Sequence, residues 1–247
     1  TSTIFLLINP FGYNRVSTKI GRLRKSEKCY VIMTGPSLTD TQLDEIGDND
    51  VITASGFWKH DLAKKLNIVA YAFYDRNYFD KSEKSYAFFD SLFLNCAPKS
   101  IVGPAHIIGR SYFSHLNKFN TCILTSKHHG LDAKSIYRYG LWPRFAGVSA
   151  YCLNLALFAG YREIHLLGFD HDYLVNRSFD RHFYDGATIP GTIEKPLSEL
   201  VTYRQEMLNN SRLWENYYKI KSLADRRKVR IYNRTPGSYL DVFELKE

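Results

Sequence analysis

The segment 163–173 reads EIHLLGFDHDY: a strand-like apolar run, a glycine, then Asp170, His171 and Asp172 in succession. Three chemistries fit such a cluster. An Asp-His-Asp set could ligate a divalent ion, although neighbours on an extended chain point to opposite sides and all three do not converge. His171 could exchange a proton near neutral pH. Asp170 could accept hydrogen bonds, either from a bound ligand or from backbone amides in a turn; we expect ligand contact. A second group follows in DRHFYDG (180–186). There Arg181 and His182 could meet phosphate, and Tyr184 could donate to a leaving oxygen, or the loop carries no chemistry. KHHG (127–130) is a weaker group of the same kind.

Further candidates sit at turns. MTGPSL (33–38) joins a strand to a helix. Gly35 permits close backbone approach, and the amides that follow could hold phosphate; Ser37 or Thr39 could cap the helix. The turn is not a Walker motif, since no lysine follows at the required place. Asp75, at the end of FYD (73–75), could bind a ribose diol or cap a helix. NRTPGSYLDVF (233–243) reads as a turn that returns apolar residues to the core, with Asn233, Thr235 or Ser238 as alternative ligand contacts.

The elements that must position these residues alternate. Strands are expected at CYVIM (29–33), DVITAS (50–55), NIVAYAFYD (67–75), SIVGPA (100–105), NTCILTS (120–126), EIHLLGF (163–169) and KVRIYN (228–233). Helical stretches fall between them, among them TGPSLTDTQLDEI and GFWKHDLAKKL. GVSAYCLNLALFAGY (147–161) is apolar all round and predicts a buried helix, and a long polar helix is expected over about 196–226. The alternation predicts an α/β fold: a Rossmann-like, mostly parallel sheet with helices on both faces. In such a sheet ligands bind beyond the carboxyl ends of the strands, where Gly168 and Asp170 should lie.

Composition narrows the class. A chain of 247 residues with 45% hydrophobic content is globular. We read 29–247 as a single domain, preceded by a basic N-terminal segment, 1–28. The net charge of +8 calls for an anionic partner. No nucleic-acid-binding signature is present, so nucleic acid is not expected. Cys29, Cys96, Cys122 and Cys152 have no metal-site or disulfide spacing and read as free thiols in a reducing compartment. No apolar run reaches membrane-spanning length. Of eighteen tyrosines and 16 phenylalanines most read as ordinary core aromatics, and the surplus suits stacking on flat rings or sugar faces. In RVSTKIGRLRKSEK (15–28), Val16, Ile20 and Leu23 recur at helical spacing among six basic residues. That pattern fits either contact with an anionic inner membrane or a helix packed on the domain.

The segments CYVIMTGPSL, VITASGFW, YAFYD, GVSAYCLNLALFAGYREIHLLGFDHDY and KVRIYNRTPGSYLDVF, in this order, resemble a known group. The chain looks like bacterial glycosyltransferases related to the family 42 sialyltransferases. It also resembles the superfamily that includes motility accessory factors and hydroxymethylpterin pyrophosphokinase-like proteins. The resemblance implies a GT-A-like variant of the Rossmann architecture. It implies transfer from a nucleotide sugar, CMP-linked in the sialyltransferases, with no metal and no further cofactor. The family's nucleotide-binding GNGPSL loop corresponds to Met33, Thr34, Gly35, Pro36 and Ser37, so its first glycine and asparagine are replaced. Ser55 and Asp75 match polar positions after the second and third strands. Gly147, Val148 and Ser149 match the turn that opens the central helix; Gly168 and Asp170 match the donor-site glycine and aspartate. No histidine stands where the family has its catalytic one, near 205–213, so His171 or His182 would replace it.

The mechanism expected on this basis is inverting transfer onto a cell-surface polysaccharide, lipooligosaccharide or protein, in the cytoplasm or at the inner face of the cytoplasmic membrane. His182 or His171 acts as base, amides near Gly35 hold the leaving phosphate, and Tyr184 or Arg181 offsets developing charge. Two alternatives remain open: a pterin pyrophosphokinase-like diphosphotransferase, and a non-catalytic nucleotide- or glycan-binding subunit of a polysaccharide assembly complex.

Overall fold

The structure is a computed structural model that describes residues 12–104, 116, 122–126, 145–172, 174–175, 182–184, 189–190 and 202–246. Among the described residues eight strands form one sheet: β1 (Lys28–Ile32), β2 (Asp50–Ala54), β3 (Asn67–Ala72), β4 (Ser100–Pro104), β5 (Cys122–Ser126), β6 (Glu163–Leu167), β7 (Arg230–Asn233) and β8 (Glu244–Leu245). Their order is β5-β4-β3-β2-β1-β6-β7-β8, and every pairing is parallel. The continuous apolar runs have their cause here. A parallel strand covered on both faces has no solvent side, and all five residues of β2 are buried. This is the expected Rossmann-like α/β architecture.

One face carries α1 (Gly12–Leu23), α4 (Val148–Ala159) and α5 (Tyr203–Arg227); the other carries α2 (Asp40–Asp44) and α3 (Glu83–Asn95). Ten of the 12 residues of α4 are buried, which makes it the centre of its layer. The helix ends at Gly160, whose φ of +90° an L side chain would resist. Helix α1 lies so close to α4 that a Cβ on Gly21 would meet the Ala159 carbonyl at 2.7 Å. Val16 and Ile20 are wholly buried, which takes two of the three apolar residues of this segment into the core, while Leu23 is partly exposed. Their charged neighbours Arg22 and Lys25 face outward. Among the described residues no helix is long and apolar enough to cross a membrane.

One expected helix changes. GFWKHDLAKKL forms two short 3-10 helices, Phe57–Lys59 and Asp61–Lys65. They part at His60, whose backbone is extended and whose ring accepts from the Leu62 amide. The return of YLDVF to the core ends in β8, a two-residue strand paired with β7. The first turns of the expected 196–226 helix lie outside the described residues, and α5 is described from Tyr203. Cys29, Cys96 and Cys152 are buried free thiols. Burial raises all three thiols, Cys96 to about 12, which keeps them protonated and inert.

Candidate functional site

Strands added after β1 run outward in one direction through β5, and β6 to β8 run outward in the other. Connections therefore part between β1 and β6, and a crevice opens at their carboxyl ends. A cleft of about 260 Å³ lies there. Thr34, Gly35, Ser55, Gly147, Val148, Ser149, Gly168, Asp170, His171 and His182 line it together with Met33, Ala146, Phe169, Asp172 and Leu213.

Two glycines let β1 and β6 stay in contact past their ends. The Met33 amide donates to Leu167 O at 2.8 Å and the Gly35 amide to Gly168 O at 3.1 Å. Gly168 has φ +68°, and a Cβ there would lie 2.4 Å from Met33 O. This close seam carries Asp170 to the turn after β1. Its carboxylate accepts from the Ser37 amide at 3.0 Å and from Ser37 Oγ at 2.9 Å. Burial raises the Asp170 carboxyl above its ordinary range, while the Ser37 bonds act in the opposite sense.

The same contacts correct one expectation. The amides of Gly35 and Ser37 have acceptors in Gly168 and Asp170, and the Leu38 amide donates to Gly35 O. Helix α2 is closed by a capping box between Thr39 and Gln42. This turn therefore does not hold out free amides to phosphate. Ser37 acts on the cleft through Asp170, and the exposed Pro36 does not line it.

The residues that open α4 also line the cleft. Its N-cap is Gly147, which offers no side-chain cap, and no acid stands in its first turn. The positive end of the helix dipole opens where Gly147, Val148 and Ser149 line the wall. Ser149 is buried, and its Oγ lies 2.7 Å from Tyr217 Oη. Tyr217 Oη lies in turn 2.8 Å from His171 Nε2. His171 packs edge-on against Phe169, Trp214 and Tyr217, and burial pushes its pKa down to about 4. It is thus a neutral imidazole at neutral pH. Its φ is +54°, and that of Ser55 is +58°. Two residues at the cleft therefore hold backbone conformations costing roughly 1 kcal/mol each or more.

His182 lines the same cleft beside Thr34. Its Nδ1 is 2.8 Å from Thr34 Oγ1, and the neighbouring Phe183 amide donates to Thr34 O. The ring stacks on Tyr184 with centroids 5.0 Å apart. Tyr184 itself does not line the cleft. Its hydroxyl accepts from the Gly56 amide, and its ring fills the space a Cβ on Gly56 would need, 2.4 Å away. That position corrects the expectation of a leaving-group donor: Tyr184 supports His182. Asp75 is also corrected. It is exposed, two strands from β1, and caps the turn Arg76–Phe79 by accepting from the Asn77 amide.

The segment 233–243 is a clasp on the loop after β6. Thr235 Oγ1 accepts from the Phe169 amide, Ser238 Oγ donates to Phe169 O, and the Tyr239 amide donates to Asp170 O. Asn233 closes the clasp on itself through Leu240 O and the Thr235 amide. Trp214, which rests on His171, donates its indole N–H to Asp241 at 3.1 Å. No motif or spacing marks Leu213, Trp214 or Tyr217, which lie on α5, distant in sequence from the other site residues. Arg181, Asp185 and the KHHG segment lie outside the described residues. Asp170 and His171 turn to different partners, Ser37 and Tyr217, and among the described residues no cluster of three metal-ligating side chains forms.

No family model and no curated protein matches this sequence. Among solved structures the chain is similar to an alpha-2,3-sialyltransferase from Campylobacter jejuni in apo form. The two are 20% identical, over 91% of this chain and 83% of that one, with a TM-score of 0.49.

Proposed function

We propose that the protein is a glycosyltransferase that moves a sugar from a nucleotide-activated donor to a glycan or lipid-linked acceptor. The single observation that carries this reading is the pairing of an uncapped helix start with an aspartate and a histidine in one switch-point crevice. An anionic donor suits both the +8 charge and the dipole of α4. A CMP-linked nonulosonic acid is the donor that the motif resemblance favours.

In this reading the amides of Val148 and Ser149 hold the phosphate. Asp170 keeps lone pairs beyond those facing Ser37 and accepts a hydroxyl of the nucleotide. The acceptor oxygen attacks the anomeric carbon, the bond to the phosphate oxygen breaks, and its electron pair leaves with the phosphate. His182 takes the acceptor proton: with Nδ1–H donated to Thr34 Oγ1, the lone pair is on Nε2. The acceptor glycan lies over Trp214, which packs edge-on to His171, and over the exposed Tyr239, whose amide bonds to Asp170 O. Contact with an anionic inner-membrane face would rest on surface charge such as Arg22 and Lys25; liposome flotation with both changed to Glu tests it, and unchanged recovery removes it.

The test is a thermal-shift panel of CMP, UDP, GDP and ATP, with and without magnesium, followed by turnover of the sugar nucleotide whose base binds. Stabilisation by one pyrimidine or guanine nucleotide, independent of magnesium, is expected. Stabilisation by ATP with magnesium alone would instead indicate a diphosphotransferase. Binding without any turnover would indicate a non-catalytic subunit.

A further inference from the structure

Ser149, Tyr217 and His171 form a buried chain of hydrogen bonds, 2.7 and 2.8 Å long, and both its ends line the cleft. Tyr217, in the middle, is wholly buried, and Ser149 and His171 are each 8% exposed. Each hydroxyl in the chain has one proton to give. Reversing one bond alone would set two protons or two lone pairs against each other, so the chain reverses as a unit. Its direction follows from the neutral imidazole. With the proton on Nδ1, Tyr217 donates to Nε2, Ser149 donates to Tyr217, and Ser149 turns lone pairs to the cleft. With the proton on Nε2, His171 donates to Tyr217, Tyr217 donates to Ser149, and Ser149 directs its O–H into the cleft.

We propose that this chain is a tautomer-directed relay: an oxyanion at the start of α4 selects the Nε2–H form of His171, which makes Ser149 a donor to that oxyanion. Tyr217 is the positioning residue that couples the two ends. No net charge moves and no bond to carbon changes; one proton shifts from one ring nitrogen to the other by exchange with solvent, and the hydroxyl protons reorient. The inference rests on the reading of the cleft as a phosphate site, and it supplies the donor that the amides of α4 alone do not.

The experiment uses the full chain labelled with ¹⁵N at histidine, with CMP and inorganic phosphate as probes. The ligand-bound wild type should show His171 with a protonated Nε2 and an unprotonated Nδ1. Tyr217→Phe and Ser149→Ala should each weaken binding of CMP about tenfold and leave binding of neutral cytidine unchanged. The double variant should lose no more than either single one, because each change removes the same interaction. Losses that multiply, or an unprotonated Nε2 in both bound states, or no response of His171 to either probe, would overturn the relay. If Tyr217→Phe lowers the melting temperature, Ser149→Ala and the histidine spectrum still decide. Failure of the glycosyltransferase reading looks different: the relay responds to CMP, and no sugar nucleotide is turned over.

Discussion

Gly35 and Asp170 touch across the seam between β1 and β6: a Cβ on Gly35 would stand 1.7 Å from Asp170 Oδ2 and 2.7 Å from Gly168 O. The second neighbour is backbone and cannot swing aside. Gly35→Ala should therefore force the two strand ends apart, destabilise the fold by about 1–3 kcal/mol, and abolish nucleotide binding. Gly168→Ala should do the same, since it adds a strained φ to a clash with Met33 O. Chemical denaturation and the thermal-shift panel measure both effects; native stability with native binding would contradict this account of the seam.

The bond between Asp170 and Ser37 can be separated from ligand contact by a double-mutant cycle. Asp170→Asn and Ser37→Ala should be coupled by about 1 kcal/mol or more in stability. Only the aspartate change should remove the contact with the nucleotide. Equal losses of affinity in both variants would make Asp170 a structural brace alone.

His171 should shape the acid limb of stability. Its pKa of about 4 lies below the 6.5 of a solvated histidine, so the unfolded chain takes up this proton first as pH falls. Stability is then lost between about pH 6.5 and pH 4 and levels off below. From pH 7 to pH 5 the loss is about 2 kcal/mol. In His171→Asn that part of the acid loss should vanish; denaturation curves at the two pH values check it. An unchanged difference would mean that the imidazole is not buried in the native state.

His182→Gln should lower turnover by about 10² to 10⁴ and change the melting temperature little, because the ring is only partly buried. Rates that survive this change and Ala at His171 as well would remove histidine from the chemistry.

Asp75→Ala should leave ligand affinity unchanged and cost about 1 kcal/mol of stability, the loss of a cap. A drop in affinity would return Asp75 to the site.

The sheet was legible because burial on both faces turns strands into continuous apolar runs. The seam was legible because Gly168 and Asp170 sit where one such run ends. Which amides remain available was not legible. Gly35, Ser37 and Leu38 find partners in residues about 130 positions away or within the turn, and a motif does not reveal that. Asp75 misled for a related reason: an aspartate after a strand looks alike whether it caps a turn or meets a ribose. Tyr217 and Trp214 were hidden by their helix. α5 is mostly polar, and nothing in its composition tells which turn abuts a loop 46 residues earlier.

The clasp from Thr235 to Tyr239 carries a consequence for assembly. Phe169 and Asp170 have their backbone fixed by residues synthesised 66 to 69 positions later. A nascent chain that has reached the end of α5 thus owns every catalytic side chain proposed above and still lacks a competent pocket. Ligand affinity in a refolding chain should therefore arrive last, as a reporter that β7 and its trailing turn have docked.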